Sequence, residues 1–285
     1  MPYLNLPTHR LHYRIDETST EKPWLTFCNS LGTDLHMWDA QVAGLSKRFR
    51  ILRYDRRGHG KSGTAGAPLS LADLGGDVIA LMDALGIERT HFCGLSIGGL
   101  TGQWLGIHAS SRLDRVVLCA TAARIGTAES WNARIGEVEA NGLDGLVPAT
   151  AERWFTPAFR AAQPEIVDGI LHSFAATSVD GYAACCAALA GADLQDSLGR
   201  ITAPLLAISG DDDPVCPPAD LEAIAMAVPN GQHVILPGRH IINIEAASGF
   251  NSHLSDFLCS PDPVTDTAAS RRPFAVDRTR SESMS

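Results

Sequence analysis

Apolar residues along this chain follow two periods. Short runs dense in β-branched, aromatic and aliphatic side chains recur at Leu11–Ile15, Leu25–Cys28, Ile51–Tyr54, His91–Gly94, Val116–Ala120, Leu205–Ser209 and His233–Leu236, and each predicts a strand. Between several of them the spacing becomes helical. In "SLADLGGDVIALMDALG" the residues Leu71, Leu74, Val78, Leu81 and Leu85 step by three or four, and Ser70 with Asp73 is placed to cap the first turn. Strands alternating with helices bury a sheet on both faces, so the pattern predicts an α/β fold with a mostly parallel central sheet.

The alternation lapses between Ala122 and Gly199. That stretch is alanine-rich, has helical spacing and holds no strand-like run. Strand character returns in "ITAPLLAISGDDDP", so the expected organisation is one α/β domain interrupted by a helical cap: core over 1–121, cap over 122–199, core again over 200–259. From Ser260 onward Pro, Ser, Thr, Asp and Arg follow one another without period, and residues 260–285 are expected to form a mobile tail.

Composition narrows the classes of function. The chain has 285 residues, 45% of them hydrophobic and 26 of them glycine, enough for a sizeable core with many turns. A net charge of −9 and the absence of any Lys/Arg run argue against a nucleic-acid partner. The N-terminus lacks a basic segment followed by an apolar one, and no run of apolar residues approaches a membrane span, so a cytoplasmic protein without a membrane partner is expected. Seven cysteines, three of them in strand-like runs, fit reduced core thiols, and Cys185-Cys186 reads as two small core residues on a helix. No His or Cys spacing suits a metal.

One pentapeptide carries chemistry. Gly94-Leu95-Ser96-Ile97-Gly98 lies directly after a strand and directly before a helical pattern, the context in which G-x-S-x-G forms a sharp turn that exposes its serine as a nucleophile. A serine hydroxyl attacks only beside a base, and the base needs an orienting acid, later in the chain in the order acid then histidine. "ISGDDDP" offers three acids after a strand-ending glycine. Asp213, stiffened by Pro214, is the chosen one, with Asp212 as the alternative. Of ten histidines, His240 in "PGRHIINIEA" alone follows the acid at a strand-to-helix junction.

These segments together resemble the α/β-hydrolase family, and the turn Asp55-Arg56-Arg57-Gly58-His59-Gly60 adds to the likeness. The resemblance implies that Asp55 and an arginine of this turn brace loops around the site. It also implies an oxyanion hole made by the backbone N–H groups of Ile97, after the nucleophile, and Leu31, in the loop after the strand "WLTFCN". Most members carry His-Gly where this chain has Asn29-Ser30, and here the chain departs from the pattern.

Asn29-Ser30-Leu31-Gly32, the Gly-Leu-Ser-x-Gly-Gly elbow, "ESWNAR" and "GRHIINIEA" more narrowly resemble the 3-oxoadipate enol-lactonases of bacterial aromatic degradation, the β-ketoadipate pathway. The resemblance implies a carboxylated five-membered enol-lactone as substrate and no metal or organic cofactor. An anionic substrate calls for a cation: Arg134 is the candidate, with Trp131 as an adjacent wall, Arg124 as an alternative, and Trp154 and Phe155 as possible cap linings. Ser30 is a candidate substrate contact, weighed against a role in holding its own loop. Rival readings are a carboxylesterase, a perhydrolase-like enzyme, a C–C bond hydrolase, or a small-molecule receptor with slow hydrolysis.

Overall fold

The computed structural model describes residues 2–64 and 68–261. Residues 262–285, most of the expected tail, lie outside them. The seven strand-like runs form strands, preceded by a short one that the pattern did not signal, β1 (Tyr3–Asn5), whose three residues lie at the sheet edge. The others are β2 (Arg10–Asp16), β3 (Trp24–Cys28), β4 (Arg50–Tyr54), β5 (Thr90–Leu95), β6 (Leu113–Cys119), β7 (Leu205–Gly210) and β8 (Gly231–Leu236). They make one eight-stranded sheet in the order β1-β2-β4-β3-β5-β6-β7-β8. β1, β2 and β4 pair antiparallel, and every pairing from β4 to β8 is parallel.

Helices cover both faces: α1 (Asp39–Leu45), α2 (Leu71–Ala84) and α3 (Ile97–His108) precede β6, and α4 (Ala128–Asn141), α5 (Val147–Trp154), α6 (Pro157–Ala162), α7 (Pro164–Ala175) and α8 (Val179–Ala190) form the helical insertion between β6 and β7. The chain closes with α9 (Pro218–Ala227), α10 (Ile242–Glu245) and α11 (Ala247–Cys259). α2 begins in a capping box: the Ser70 hydroxyl accepts from the Asp73 N–H, and the Asp73 carboxylate accepts from the Ser70 N–H. Leu71, Leu74, Val78 and Leu81 are its buried stripe.

Register decides where the loops emerge. Cys28 pairs with Gly94, so the loop after β3 and the turn after β5 leave the sheet side by side. Gly210 pairs with Leu236, which does the same for the loops after β7 and β8. The carboxyl ends of parallel strands, at the point where strand order reverses, therefore gather four loops in one crevice. Among the described residues no helix is long and apolar enough to cross a membrane.

Candidate active site

Ser96 joins β5 to α3 at φ 59° and ψ −119°. A non-glycine residue there costs about 1–3 kcal/mol and persists only where its neighbours over-determine it. The Ser96 N–H donates to Cys119 O (2.9 Å), and its carbonyl accepts from Leu100 N (3.1 Å) and Thr121 Oγ1 (2.7 Å). Glycines clear the turn: a Cβ on Gly94 would overlap the carbonyl of Gly98, and one on Gly98 would overlap the carbonyl oxygens of Cys28 and Asn29. The elbow is thus pressed against the loop after β3. Ile97 opens α3, and its N–H belongs to the first-turn donors that no helical carbonyl takes.

Asn29 holds that loop by its side chain, donating from Nδ2 to Tyr54 O (2.8 Å) and accepting at Oδ1 from Trp38 Nε1 (2.9 Å). The buried Arg56 guanidinium donates to the carbonyls of Asn29 (2.6 Å) and Ser30 (3.3 Å). Asp55 accepts from the backbone N–H groups of Leu35 and Lys61, both at 2.8 Å, and lies 2.7 Å from His12 Nδ1. Asp55 and Arg56 therefore brace the loops, and Leu31 is carried to the mouth of the elbow. The Leu31 N–H is taken by no backbone carbonyl of the described residues. Gly32 follows at φ 75°, where a Cβ would overlap the ring of Phe174 from the insertion.

The three consecutive acids divide their work. Asp211 Oδ1 accepts from the Gly238 N–H (2.9 Å), Asp212 pairs at the surface with Arg239 Nε (2.8 Å), and Asp213 Oδ2 receives His240 Nδ1–H at 2.9 Å. The other Asp213 oxygen accepts from the N–H groups of Val215 (2.8 Å) and Cys216 (3.1 Å), which fixes the carboxylate. Gly210 lets the two loops close, since a Cβ there would overlap the carbonyls of Gly238 and Arg239.

Ser96, His240, Ser30, Leu31, Trp131 and Arg134 line one cavity of about 280 Å³ beneath the insertion. Asp213 is buried behind His240 rather than lining it, and Ile97 is buried at the start of α3. Trp131 is held by its Nε1–H, which donates to Ile125 O (2.6 Å). Arg134 lies 3.1 Å from Glu137, with Tyr182 beside it on the cavity wall. Burial, with Cys186 adding to it, pushes Tyr182 up to about 12.

Trp154 lines the cavity, but Phe155 is buried away from it, stacked on Phe159. Arg124 is half-exposed and faces Asp193 at 3.6 Å, outside the lining, so it is not the alternative cation. Arg153, which no pattern along the chain singles out, is on the wall. Burial and then the neighbouring Arg134 pull its guanidinium down from the ordinary arginine value. Its only sequence signal was its place beside Trp154 on α5. The cavity thus carries two cations in a protein of net charge −9.

Sheet order, elbow and loops define the class, and a family model described as the alpha/beta hydrolase fold matches residues 23–162: the chain belongs to the α/β-hydrolase family. Within that family its relatives are narrower. It is 45% identical over 231 residues to 3-oxoadipate enol-lactonase 2 of Acinetobacter baylyi, covering 81% of this chain and 86% of that one. The structure of the enol-lactonase from Burkholderia xenovorans superposes with a TM-score of 0.89 at 44% identity, covering 91% of this chain and 100% of that one. A hydrolase from Pseudomonas aeruginosa does so at 0.88 and 40% identity, covering 91% and 98%.

Proposed function

We propose that this chain is a serine hydrolase that opens 3-oxoadipate enol-lactone to 3-oxoadipate, with Ser96 as nucleophile, His240 as base and Asp213 as the orienting acid. The observation that carries the reading is the single cavity in which the serine, the histidine and two arginines meet. Kinship with the enol-lactonases supports the substrate.

His240 Nε2 takes the Ser96 proton as Oγ bonds to the ring carbonyl carbon, and the carbonyl oxygen becomes the oxyanion held by the N–H groups of Leu31 and Ile97. Collapse breaks the ring C–O bond. The electron pair leaves on the enol oxygen, which takes the proton from His240, and the enol then ketonises. His240 next removes a proton from water as its oxygen attacks the acyl carbon, and the released Ser96 oxygen recovers that proton. An enolate leaves more readily than an alkoxide, so oxyanion stabilisation, about 3 kcal/mol per donor, outweighs leaving-group protonation.

Arg134 and Trp131 hold the substrate's carboxylate arm, and residues 122–199 act as the cap over the core segments 1–121 and 200–259. Seven free cysteines, six of them buried, support a reducing, cytoplasmic setting. The test is turnover of the enzymatically generated enol-lactone. Ser96→Ala should abolish it with unchanged melting temperature. Arg134→Ala should lose about 1.5–3 kcal/mol of carboxylate binding, a roughly 10- to 100-fold rise in KM, and should spare a neutral p-nitrophenyl ester. Equal effects on both substrates would assign Arg134 to the framework instead.

A further inference from the structure

The loop that carries His240 is laced to the insertion by contacts on both sides of the histidine. The Arg239 N–H donates to Glu245 Oε2 (2.9 Å), and the Ile241 N–H donates to Trp154 O (3.2 Å). The same Glu245 carboxylate accepts from the Thr156 N–H (3.1 Å) and from the Thr156 hydroxyl. Arg239 Nη1 adds a bond to Glu152 O (2.5 Å). Residues 152, 154 and 156 thus hold the base loop, while Arg153 and Trp154, between them, line the cavity. One five-residue segment, running from the end of α5 to the cap of α6, touches both the substrate space and the backbone of the histidine loop.

Resting on the proposed triad, we infer that Glu245 is a positioning residue: through Thr156 and Arg239 it clamps the insertion to the His240 loop, so that a substrate seated against Arg153 and Trp154 fixes the base at the same moment. Apolar packing alone would allow the loop to slide. A half-buried carboxylate with three donors converging on it has one geometry, and the charge strengthens each bond. The clamp acts on the chemical step rather than on affinity, because none of its polar atoms belongs to a cavity-lining side chain other than through the backbone of Trp154.

Paraoxon, a neutral phosphate triester, tests this, since its reaction with Ser96 needs His240 but no carboxylate-binding arginine. Glu245→Gln and Thr156→Val should each slow both paraoxon labelling and lactone kcat by about 10-fold, short of the roughly 100-fold that a 1 Å misplacement can cost. KM should stay within about twofold, and the double variant should be no slower than the slower single one, as expected for two ends of one clamp. Thr156→Val also removes the hydroxyl that caps α6 by accepting from the Phe159 N–H (3.2 Å), so its rates are read well below its melting temperature, and it carries the readout if Glu245→Gln fails to fold. Unchanged labelling, a change confined to KM, or additive losses in the double variant would overturn the clamp. Labelling of Ser96→Ala at the parent rate would instead overturn the nucleophile assignment, and the clamp with it; absence of lactone turnover with normal labelling would overturn only the substrate.

Discussion

Asn29 and Ser30 stand where the family resemblance leads one to expect His-Gly, and their two side chains do different things. Asn29 bonds Tyr54 and Trp38 and holds the loop. Ser30 lines the cavity, and among the described residues its hydroxyl has no protein partner. Ser30→Ala should therefore leave the denaturant midpoint in place and lower lactone kcat/KM by roughly 3- to 10-fold, the 0.5–1.5 kcal/mol of one hydrogen bond to the ring ester. Asn29→Ala, which orphans a buried indole N–H and a backbone carbonyl, should show the opposite balance, a loss of stability of about 2 kcal/mol or more. A serine replacement that costs stability and spares kinetics would put Ser30 with the framework. Residue-scale legibility followed local constraint: the elbow's glycines mark Ser96 within five positions, whereas Arg153 shares its helix with other polar residues and no local rule says which of them turns inward.

At the scale of elements, one of the contacts by which the insertion meets the core is backbone against backbone. Gly58, at φ 70° in the turn after β4, touches Gly181 in the first turn of α8, and a Cβ on either would overlap backbone of the other. Alanine in a helix normally gains about 0.5–1 kcal/mol over glycine. At Gly181 overpacking against backbone reverses the sign, and Gly181→Ala should destabilise by about 1–3 kcal/mol. Gly136→Ala in α4, where the added methyl meets nothing within 4 Å, should stabilise by the helical amount. Urea midpoints of the two variants measure both, and a stabilised Gly181→Ala would mean that the insertion rides free of that turn. The strands and α2 were legible because burial on a sheet or helix face imposes a period. β1 was not, since three edge residues with one half-buried side chain leave no period to read.

For the molecule as a whole, buried histidines are expected to set the acid limit of stability. Burial, reinforced by Arg56, pulls His59 down from 6.5 to about 3, and burial lowers His9 and His233 as well. Each folded value lies below the unfolded one, so the stabilisation is complete above pH 6.5 and is lost as the unfolded chain takes up protons that the folded one refuses. Asp73, lowered chiefly by its Ser70 hydrogen bond, adds to the loss at lower pH, while Asp220, raised by burial, opposes it. The urea midpoint should fall steadily between pH 6.5 and about 3, and His59→Asn should make that fall shallower. An unchanged slope in the variant would place the acid limit elsewhere.

Sequence by itself determined the alternation of strand and helix, the strained serine turn and a helical insertion without strands, because each is written in residues close together in the chain. Tertiary structure decided the rest. Local spacing favours Asp213 and leaves Asp212 open, and the pairing of β7 with β8 brings Asp213, rather than its neighbours, to His240. The tie between Glu245 and Thr156 joins residues 89 positions apart, and Arg153 reaches the cavity wall through the packing of α5. Such contacts are set by how packed elements meet in space, and no pattern along the chain records them.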